Sequence, residues 1–310
     1  MIRVLFSARP ALWDDYRAPL EAAFKDAGLK AELTREAAPE TVDYVVFAPN
    51  GPVTDFSPYT RVKLAMGLWA GVERIVGNET LTQPLARMVD PALTQGMVEW
   101  VTGHVLRHHL GLDAHVSGQD GVWRDDVYPP LASERPVTVL GLGELGAACA
   151  KALAGLGFDV TGWSRSPKTV DKVRCLSGEA GLAQALNGAQ IVVLLLPQTA
   201  ATENLLNAER LALLAQGAFL VNPGRGPLID DAALLAALDR GQVAGATLDV
   251  FRTEPLPPEH PYWAHPRVLV TPHIAATTRP GSAARVVADN IARVERGETP
   301  LHLVDRSAGY

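Results

Sequence analysis

The sequence predicts an α/β protein in which helices cover both faces of parallel strands. Short apolar runs rich in Val, Ile and Leu alternate along the chain with longer segments of helical periodicity, which is the layout of successive βαβ units. The strand candidates beyond residue 136 are nearly all apolar, as expected for strands buried on both faces. A glycine-rich turn at Gly141–Gly146 follows one of these strands and precedes a helical segment, an arrangement typical of a doubly wound sheet.

The first elements are predicted from local composition and period. The run Ile2–Ala8 has the composition of a strand. A helix is predicted over Asp14–Gly28, where apolar residues recur every four positions and the final glycine is a typical stop. Further strands are predicted over Val42–Pro49 and Val62–Leu68, and a helix is predicted from Pro91 to about Leu110.

Residues 111–135 have no clear period, and we interpret them as an excursion between domains or between subunits. A second series of strands follows this segment. Its predicted strands are Val137–Gly141, Asp159–Trp163, Gln190–Pro197, Ala218–Pro223, Gly245–Phe251 and Val268–Pro272. Helices are predicted over Leu205–Leu214, Asp231–Leu238 and Ser282–Glu295.

Composition excludes several classes of protein. The chain has 310 residues, enough for about two domains, and its 20% of charged residues is ordinary globular usage. The formal net charge of −6, without a run of Lys or Arg, predicts no nucleic-acid partner. No apolar run is long enough for a secretory signal or a membrane span, and two cysteines in no CxxC pair suit a reducing compartment. We therefore expect a cytoplasmic protein without a membrane partner.

The glycine-rich turn matches the strand–GxGxxG–helix pattern of a Rossmann-type dinucleotide site. Gly141 permits the tight turn, Gly143 lets the backbone approach a pyrophosphate, and Gly146 lets the helix pack on the strand. Backbone N–H groups at Glu144 and Leu145 would bind the pyrophosphate at the helix N-terminus.

The end of the next predicted strand indicates which dinucleotide is bound. A site that prefers NAD usually has an acidic residue there, about 20 residues after the turn. This chain has instead Ser164, Arg165 and Ser166, with Lys168 nearby. A guanidinium suits a 2′-phosphate, so the sequence favours NADP(H), with NADH still possible. The alternative is that Arg165 and Lys168 are ordinary solvated turn residues.

Arg225, Glu254 and His273 each come directly after one of the late strands. The carboxyl ends of parallel strands lie at one edge of a sheet, so these side chains would face the crevice that the dinucleotide enters. Two histidines on one predicted helix, His104 and His108, have a spacing that can ligate a metal, but no HExxH glutamate accompanies them. We predict no metal site.

The sequence resembles the D-isomer-specific 2-hydroxyacid dehydrogenases, and most closely their glyoxylate/hydroxypyruvate reductase A branch. The resemblance rests on motifs in matching order over the C-terminal two thirds, with a looser match near the N-terminus. These motifs are GLGELG at 141–146, GWSRSPK at 162–168, LLPQTAAT at 195–202, NPGRG at 222–226, LDVFRTEPLPPEHPYWAHPRV at 248–268, TPHIAATTRP at 271–280 and LWAGVERI at 68–75.

The resemblance implies an NADPH-dependent reduction of small 2-oxo acids, glyoxylate or hydroxypyruvate, to 2-hydroxy acids. It implies that Arg225 binds the substrate carboxylate and polarises the carbonyl, that His273 is the general acid/base, and that Glu254 bonds this histidine. The chemistry agrees with these roles. An imidazole can exchange a proton near neutral pH, a nearby carboxylate favours the imidazolium, and a guanidinium stabilises a developing alkoxide.

The resemblance also implies contacts of the cofactor and the substrate. Those of the cofactor are Leu196, Pro197 and Thr199 beside the ribose, Asp249 facing the nicotinamide carboxamide, and backbone at Asn222, Pro223, Gly224 and Ala275 beside the nicotinamide ring. Those of the substrate are backbone at Ala70, Gly71 and Val72, where Trp69 either reshapes the pocket or packs into the core. Arg279 either reaches a substrate carboxylate or caps the last helix. The Pro223–Gly224 pair departs from the family pattern and could alter the approach of Arg225.

The implied architecture is a Rossmann-type domain inserted into a smaller, flavodoxin-like α/β substrate domain. The substrate domain would comprise residues 1–97 and 278–310, the dinucleotide domain 98–277, with the catalytic cleft between them. The family implies a homodimer in which the long predicted helix and residues 111–135 are exchanged between subunits, with Trp123 contacting the partner's cleft. Two alternatives remain open: an NAD-dependent dehydrogenase of another 2-hydroxy acid, and a non-catalytic nucleotide-sensing module.

Overall fold

The computed structural model describes residues 1–123, 125 and 128–309. The chain divides into two compact units. Unit 1 comprises Met1–Leu93 and Thr277–Tyr310, and unit 2 comprises Thr94–Ala276. The structure changes from one unit to the other after Leu93 and again after Ala276. The sequence placed these boundaries after residues 97 and 277, which is four residues and one residue later in the chain.

Strands and helices alternate through both units. The strands are β1 (Ile2–Ser7), β2 (Ala31–Thr34), β3 (Tyr44–Phe47), β4 (Leu64–Gly67), β5 (Leu85–Ala86), β6 (Pro136–Leu140), β7 (Asp159–Ser164), β8 (Arg174–Ser177), β9 (Ile191–Leu194), β10 (Ala218–Asn222), β11 (Val243–Leu248) and β12 (Val268–Val270). The α-helices are α1 (Ala11–Asp26), α2 (Pro91–His109), α3 (Leu112–Ser117), α4 (Glu144–Gly155), α5 (Gly178–Leu186), α6 (Ala208–Leu211), α7 (Asp231–Asp239) and α8 (Pro280–Glu295). Short 3₁₀ turns lie at Pro39–Thr41, Ala132–Glu134, Gly226–Leu228 and Pro261–Trp263.

Unit 1 is a parallel sheet in the order β2-β1-β3-β4-β5, which is the flavodoxin-like order. Helices α1 and α8 pack against each other beside this sheet. The predicted apolar stripe of α1 is confirmed, because Tyr16, Leu20 and Phe24 are all buried. Ala284 and Ile291 of α8 join the same core, so the chain returns to unit 1 after leaving it.

Unit 2 is a doubly wound parallel sheet in the order β12-β11-β10-β9-β6-β7-β8. Its strands contribute to a core on each face: Leu140 and Leu194 lie in one apolar cluster, whereas Val139 and Val193 lie in another. This confirms the predicted α/β fold class. The strand order reverses between β6 and β9, and ligands of such sheets bind outside the carboxyl ends of the strands at this point.

Some predicted elements differ from the structure. Strands β2, β5 and β8 were not predicted, because each is a short strand at an edge of its sheet and lacks a strong apolar signal. The helix predicted over Leu205–Leu214 is reduced to Ala208–Leu211. Leu206 instead forms a β-bridge with Ile229, and the Asn207 side chain accepts a hydrogen bond from the backbone of Arg210, which starts the helix later.

Candidate active site

The glycine turn has the geometry that a dinucleotide requires. Gly141 has φ +104°, and a Cβ there would lie 2.6 Å from the carbonyl oxygen of Leu195 in the loop after β9. A Cβ on Gly146 would overlap the carbonyl oxygen of Gly141. By contrast, a Cβ on Gly143 would meet nothing within 4 Å. The outer glycines are thus fixed by packing, while the middle one faces open space beside the N-terminus of α4, where Glu144 begins the helix, and this fits a pyrophosphate.

The end of β7 presents cationic side chains. The hydroxyl of Ser164 is buried and donates a hydrogen bond to the carbonyl of Ser166 at 2.7 Å, which turns the chain directly after the strand. Arg165 and Lys168 follow in exposed positions, whereas Asp159 lies at the opposite end of the strand. The carboxyl end of β7 is therefore followed by two exposed cationic residues.

The loop after β9 is closed by a residue that the sequence analysis did not single out. Thr202 Oγ1 accepts a hydrogen bond from the backbone N–H of Thr199 and donates one to the carbonyl of Pro197, each at 2.8 Å. Leu196, which lies in this loop, is buried in the core. The spacing of the two threonines is that of a local side-chain turn, and it could have identified Thr202.

The turn that carries Arg225 is held by the buried side chain of Asn222. Asn222 Oδ1 accepts the Gly224 N–H at 3.1 Å, and Asn222 Nδ2 donates to the Arg225 carbonyl at 3.0 Å. A Cβ on Gly224 would lie 2.7 Å from the carbonyl oxygen of Leu194. The absence of a Cβ at Gly224, one of the two residues that depart from the family pattern, thus lets this turn approach β9 closely. The effect of Pro223 on Arg225 stays a prediction.

His273 follows β12 in a left-handed backbone conformation, with φ +55°. Its backbone N–H donates to the carbonyl of Asp249 at 2.8 Å. Its ring Nδ1 lies 2.7 Å from Glu254 Oε2, and its side chain is 51% exposed. The imidazole is therefore oriented through one nitrogen while half of its surface stays accessible to a ligand.

Asp249 holds the loop of His273 and is fully buried. Its Oδ1 accepts hydrogen bonds from Thr271 Oγ1 at 2.6 Å and from the Ile274 N–H at 2.9 Å, and its Oδ2 accepts the Ala275 N–H at 2.9 Å. Both oxygens of the Asp249 carboxylate thus accept hydrogen bonds from the His273 loop, and a contact of Asp249 with the nicotinamide carboxamide stays a prediction. The backbone N–H of Ala275, which was also expected beside the nicotinamide ring, is the donor to Asp249 Oδ2. Thr271 was missed because its hydroxyl finds a partner 22 residues away.

Glu254 interacts with both of the other predicted catalytic residues, His273 and Arg225. Its Oε1 accepts the Phe251 N–H at 2.9 Å, while Oε2 faces His273. Burial raises the pKa of Glu254, but the hydrogen bonds from His273 and Phe251 and the charges of His273 and Arg225 outweigh it and lower the pKa below its ordinary value. The structure thus brings Arg225, Glu254 and His273 together around an ionised carboxylate.

The lowered pKa of Glu254 predicts how stability changes with pH. The ionised form stabilises the fold above the ordinary pKa of 4.5, and this contribution is lost as pH falls through the folded-state pKa. We expect the urea midpoint of the wild type to exceed that of Glu254→Gln at pH 6, and the difference to shrink towards pH 3. The exposed Glu259→Gln variant should show no such trend. If the urea midpoints of the wild type and Glu254→Gln differed by the same amount at every pH, the predicted loss of stabilisation by ionised Glu254 would be contradicted.

The predicted carboxylate loop follows β4 within unit 1. Val72 is buried in the core of this unit, whereas Ala70 and Gly71 are half-buried. Trp69 packs partly against the core, with the Arg74 guanidinium 5.9 Å from its ring centre. The indole thus packs in part against the core, and its effect on the shape of the substrate pocket stays a prediction.

Arg279 lies near this loop within unit 1. Thr278 Oγ1 donates a hydrogen bond to the carbonyl of Leu68 at 2.9 Å, which fastens the start of α8 beside the loop. Arg279 is the N-cap residue of α8, but its side chain makes no cap hydrogen bond and is exposed. A contact of this guanidinium with a substrate carboxylate stays a prediction.

His108, His109 and Cys149 are buried, whereas His104 is half-buried. His108 Nε2 lies 3.0 Å from Thr247 Oγ1, and burial lowers the pKa of His108 to about 4. Burial raises the pKa of Cys149 to about 12. Among residues 1–123, 125 and 128–309, no cluster of three or more His, Cys, Asp or Glu could hold a metal ion. No helix in this part of the chain is long and apolar enough to cross a membrane.

Nicotinamide-dependent oxidoreductases place a dinucleotide at the switch point of such a sheet and keep a proton donor at the strand ends, and unit 2 has this design. Residues 102–275, more than half of the chain, match the family model for the D-isomer specific 2-hydroxyacid dehydrogenase, NAD binding domain. The chain belongs to this family of NAD(P)-dependent oxidoreductases. The resemblance inferred from the motifs is thereby confirmed.

Known proteins similar to this chain agree with this assignment. Glyoxylate/hydroxypyruvate reductase A of Serratia proteamaculans is 42% identical over 258 residues, covering 81% of this chain and 82% of that protein. A D-isomer specific 2-hydroxyacid dehydrogenase from Xanthobacter autotrophicus Py2, solved with NADPH and MES, is 42% identical with a TM-score of 0.93, covering 100% of this chain and 99% of that one. An NADPH-dependent glyoxylate/hydroxypyruvate reductase from Sinorhizobium meliloti, solved with NADP and sulfate, is 34% identical with a TM-score of 0.87, covering 100% of both chains.

Proposed function

We propose that this protein reduces small 2-oxo acids, glyoxylate and hydroxypyruvate above all, to 2-hydroxy acids with NADPH. The observation that carries the proposal is the 2.7 Å contact between His273 Nδ1 and Glu254 Oε2, with the charge of Arg225 acting on the same carboxylate. This combination suits a carbonyl reduction, which needs a proton donor and a cation at the developing alkoxide. The names of the relatives supply the substrate class.

Each residue of this cluster has a separate task. Arg225 binds the substrate carboxylate and polarises the carbonyl to be reduced. Glu254 orients the His273 ring through Nδ1 and favours the imidazolium, so that Nε2 is the atom that gives a proton to the carbonyl oxygen. When bound, the reduced nicotinamide supplies the hydride to C2. Asp249 keeps the backbone of the His273 loop in place while this proton moves.

We assign the dinucleotide to unit 2 and the substrate-carboxylate loop at Ala70 and Gly71 to unit 1. Gly141, Gly143 and Gly146 would admit the pyrophosphate, and Arg165 would bond the 2′-phosphate of NADPH. The NADPH and NADP in two similar solved structures support this choice of cofactor. The two cysteines are free thiols, which supports a reducing compartment such as the cytoplasm.

The decay of nicotinamide absorbance with purified protein tests the function. The assay would compare NADPH with NADH, and glyoxylate and hydroxypyruvate with pyruvate, oxaloacetate and a phenyl-substituted oxo acid. Fastest turnover of glyoxylate or hydroxypyruvate with NADPH is expected. Activity with NADH alone would contradict the proposed 2′-phosphate site but would leave the family assignment unchanged. Turnover of none of the acids would favour the nucleotide-sensing alternative.

Replacing Arg165 by Ala should change the choice of cofactor. The lost charge-assisted bond to the 2′-phosphate should raise the KM for NADPH about 10- to 100-fold, whereas the KM for NADH should change little. Steady-state kinetics at saturating hydroxypyruvate measure both. Arg174→Ala, at the opposite end of the neighbouring strand β8, is the matched control and should alter neither value. Equal effects of Arg165→Ala on both cofactors would contradict the assignment.

We also propose that the protein is a homodimer that buries the segment after α2. This segment exposes apolar side chains that a monomer would leave in water. They are Leu110, Leu112, Val116, Val122, Trp123, Tyr128 and Leu131. Residues 124, 126 and 127 of the predicted exchanged arm lie outside the described residues. A dimeric mass by light scattering is expected, and a monomeric mass would overturn the proposal.

A further inference from the structure

Arg252, which lies between Phe251 and Glu254 in the loop after β11, bonds to distant parts of unit 2. Its Nη2 donates to the carbonyl of Ile229 at 2.8 Å and approaches that of Pro227 at 3.5 Å. Both carbonyls belong to the turn that directly follows Arg225. The guanidinium therefore fastens the Arg225 turn to the loop that carries Glu254.

The backbone brings the same two segments together. A Cβ on Gly226 would overlap the Phe251–Arg252 peptide, so the residue after Arg225 lies directly against this peptide. The Phe251 N–H in turn donates to Glu254 Oε1 at 2.9 Å. The backbone contact at Gly226 and the side chain of Arg252 therefore both link the Arg225 turn to the loop of Glu254.

Further partners hold the Arg252 guanidinium in its orientation. Its Nη2 donates to Asn204 Oδ1, its Nη1 lies 3.3 Å from Glu203 Oε1, and its Nε lies 3.4 Å from Asp231 Oδ2. Asp231 also accepts a hydrogen bond from the buried Tyr262 hydroxyl at 2.9 Å, which fixes this carboxylate. A planar guanidinium directs five donors at carbonyls and carboxylates in fixed directions, whereas the three donors of a lysine ammonium share one nitrogen on a flexible stem.

We propose that Arg252 is a positioning residue that sets Arg225 relative to Glu254. It acts through the turn at Gly226–Leu228 and not by touching substrate or cofactor. Because Glu254 orients His273, the distance between the bound carboxylate and the proton donor then depends on Arg252. This inference rests on the function proposed above for Arg225, Glu254 and His273.

The Arg252→Met variant tests the proposal, with the wild type measured beside it. We expect a KM for hydroxypyruvate, and an inhibition constant for oxalate, raised roughly 10- to 100-fold, because small misplacements in an active site cost that much. The dissociation constant of NADPH, followed by its fluorescence, should change less than about twofold. Arg252→Lys should be intermediate, since it keeps the charge but loses the fork, and it carries the test if Arg252→Met does not fold.

Arg210→Met is a control for a merely structural role. Arg210 also donates to a backbone carbonyl, that of Leu205 at 3.0 Å, and pairs with an acid, Glu179 at 2.7 Å. It does not bond to the Arg225 turn or to the Glu254 loop. Thermal unfolding should show similar losses for Arg210→Met and Arg252→Met, whereas only Arg252→Met should raise the KM. An equal KM effect of both variants, or of neither, would overturn the proposal.

Hydrogen exchange separates this inference from the proposed function. Peptides covering 225–231 and 251–254 should exchange faster in Arg252→Met than in the wild type and in Arg210→Met. If the wild type reduces no 2-oxo acid, the proposed function fails, while faster exchange in both peptides would still support the link between them. Unchanged exchange in these peptides would reject the link whatever the activity.

Discussion

Replacing His273 by Asn is expected to lower kcat/KM for hydroxypyruvate about 10²- to 10⁴-fold, which is the usual contribution of a general acid. The loss should fall mainly on kcat, because the proton donor acts in the transition state. Asn is the suitable substitution, since it tolerates the left-handed backbone at this position, where φ is +55°. The dissociation constant of NADPH should stay unchanged, since His273 is assigned no cofactor contact.

His302 provides a matched control for this substitution. It is a histidine of unit 1 with φ +59°, so His302→Asn makes the same chemical change in the same backbone conformation. It should leave kcat and KM within about twofold of the wild type, because His302 is assigned no contact with substrate or cofactor. A His273→Asn variant that keeps full turnover would contradict the proposed proton donor.

The His273→Asn variant also distinguishes between the two proposed kinds of protein, an enzyme and a nucleotide-sensing module. In an enzyme, His273→Asn should lower turnover by the factor given above and leave NADPH binding intact. In a sensor, neither cofactor binding nor a cofactor-dependent response should depend on this imidazole. The hydrogen bond between His273 and Glu254 has no evident use in a sensor, which is why the enzyme is favoured.

The sequence predicted those features of the fold that depend on local pattern. The strands from β6 to β12 that lie inside the sheet are apolar on both faces, and the GxGxxG turn between β6 and α4 fixes the switch point. Strands β2 and β8 were not predicted, because each has only four residues and includes a charged one, Glu32 in β2 and Arg174 in β8. The boundaries of α6 depended on the bridge between Leu206 and Ile229, which is not a local signal.

The candidate site was predictable in its residue types but not in its supporting contacts. Arg225, Glu254 and His273 were identified because each follows a strand and matches a motif. The environment of Asp249 was not predictable, because its three donors come from the loop after the next strand along the sheet. Nothing in the sequence pointed to Arg252, because its partners lie far away in the chain. They include the backbone carbonyl of Ile229 and the side chain of Asn204.

Replacing Arg225 by Gln is expected to lower kcat/KM for hydroxypyruvate about 10²- to 10³-fold, the usual cost of removing a group that stabilises a developing oxyanion. The KM should rise as well, because the same guanidinium binds the substrate carboxylate in the ground state. Arg225→Lys should keep part of the activity, since it retains the charge without the bidentate fork. Steady-state kinetics and competitive inhibition by oxalate measure these effects.

Arg279 is the rival ligand for the substrate carboxylate, so Arg279→Gln belongs in the same experiment. Its side chain is exposed beside the loop at Ala70 and Gly71, and it could hold the carboxylate from unit 1. If Arg225 is the main ligand, Arg279→Gln should raise the KM for hydroxypyruvate less than Arg225→Gln and leave kcat close to that of the wild type. The reverse order would move the carboxylate site to Arg279. Arg225 would then remain a residue that lowers the pKa of Glu254 and supports the proton donor through it.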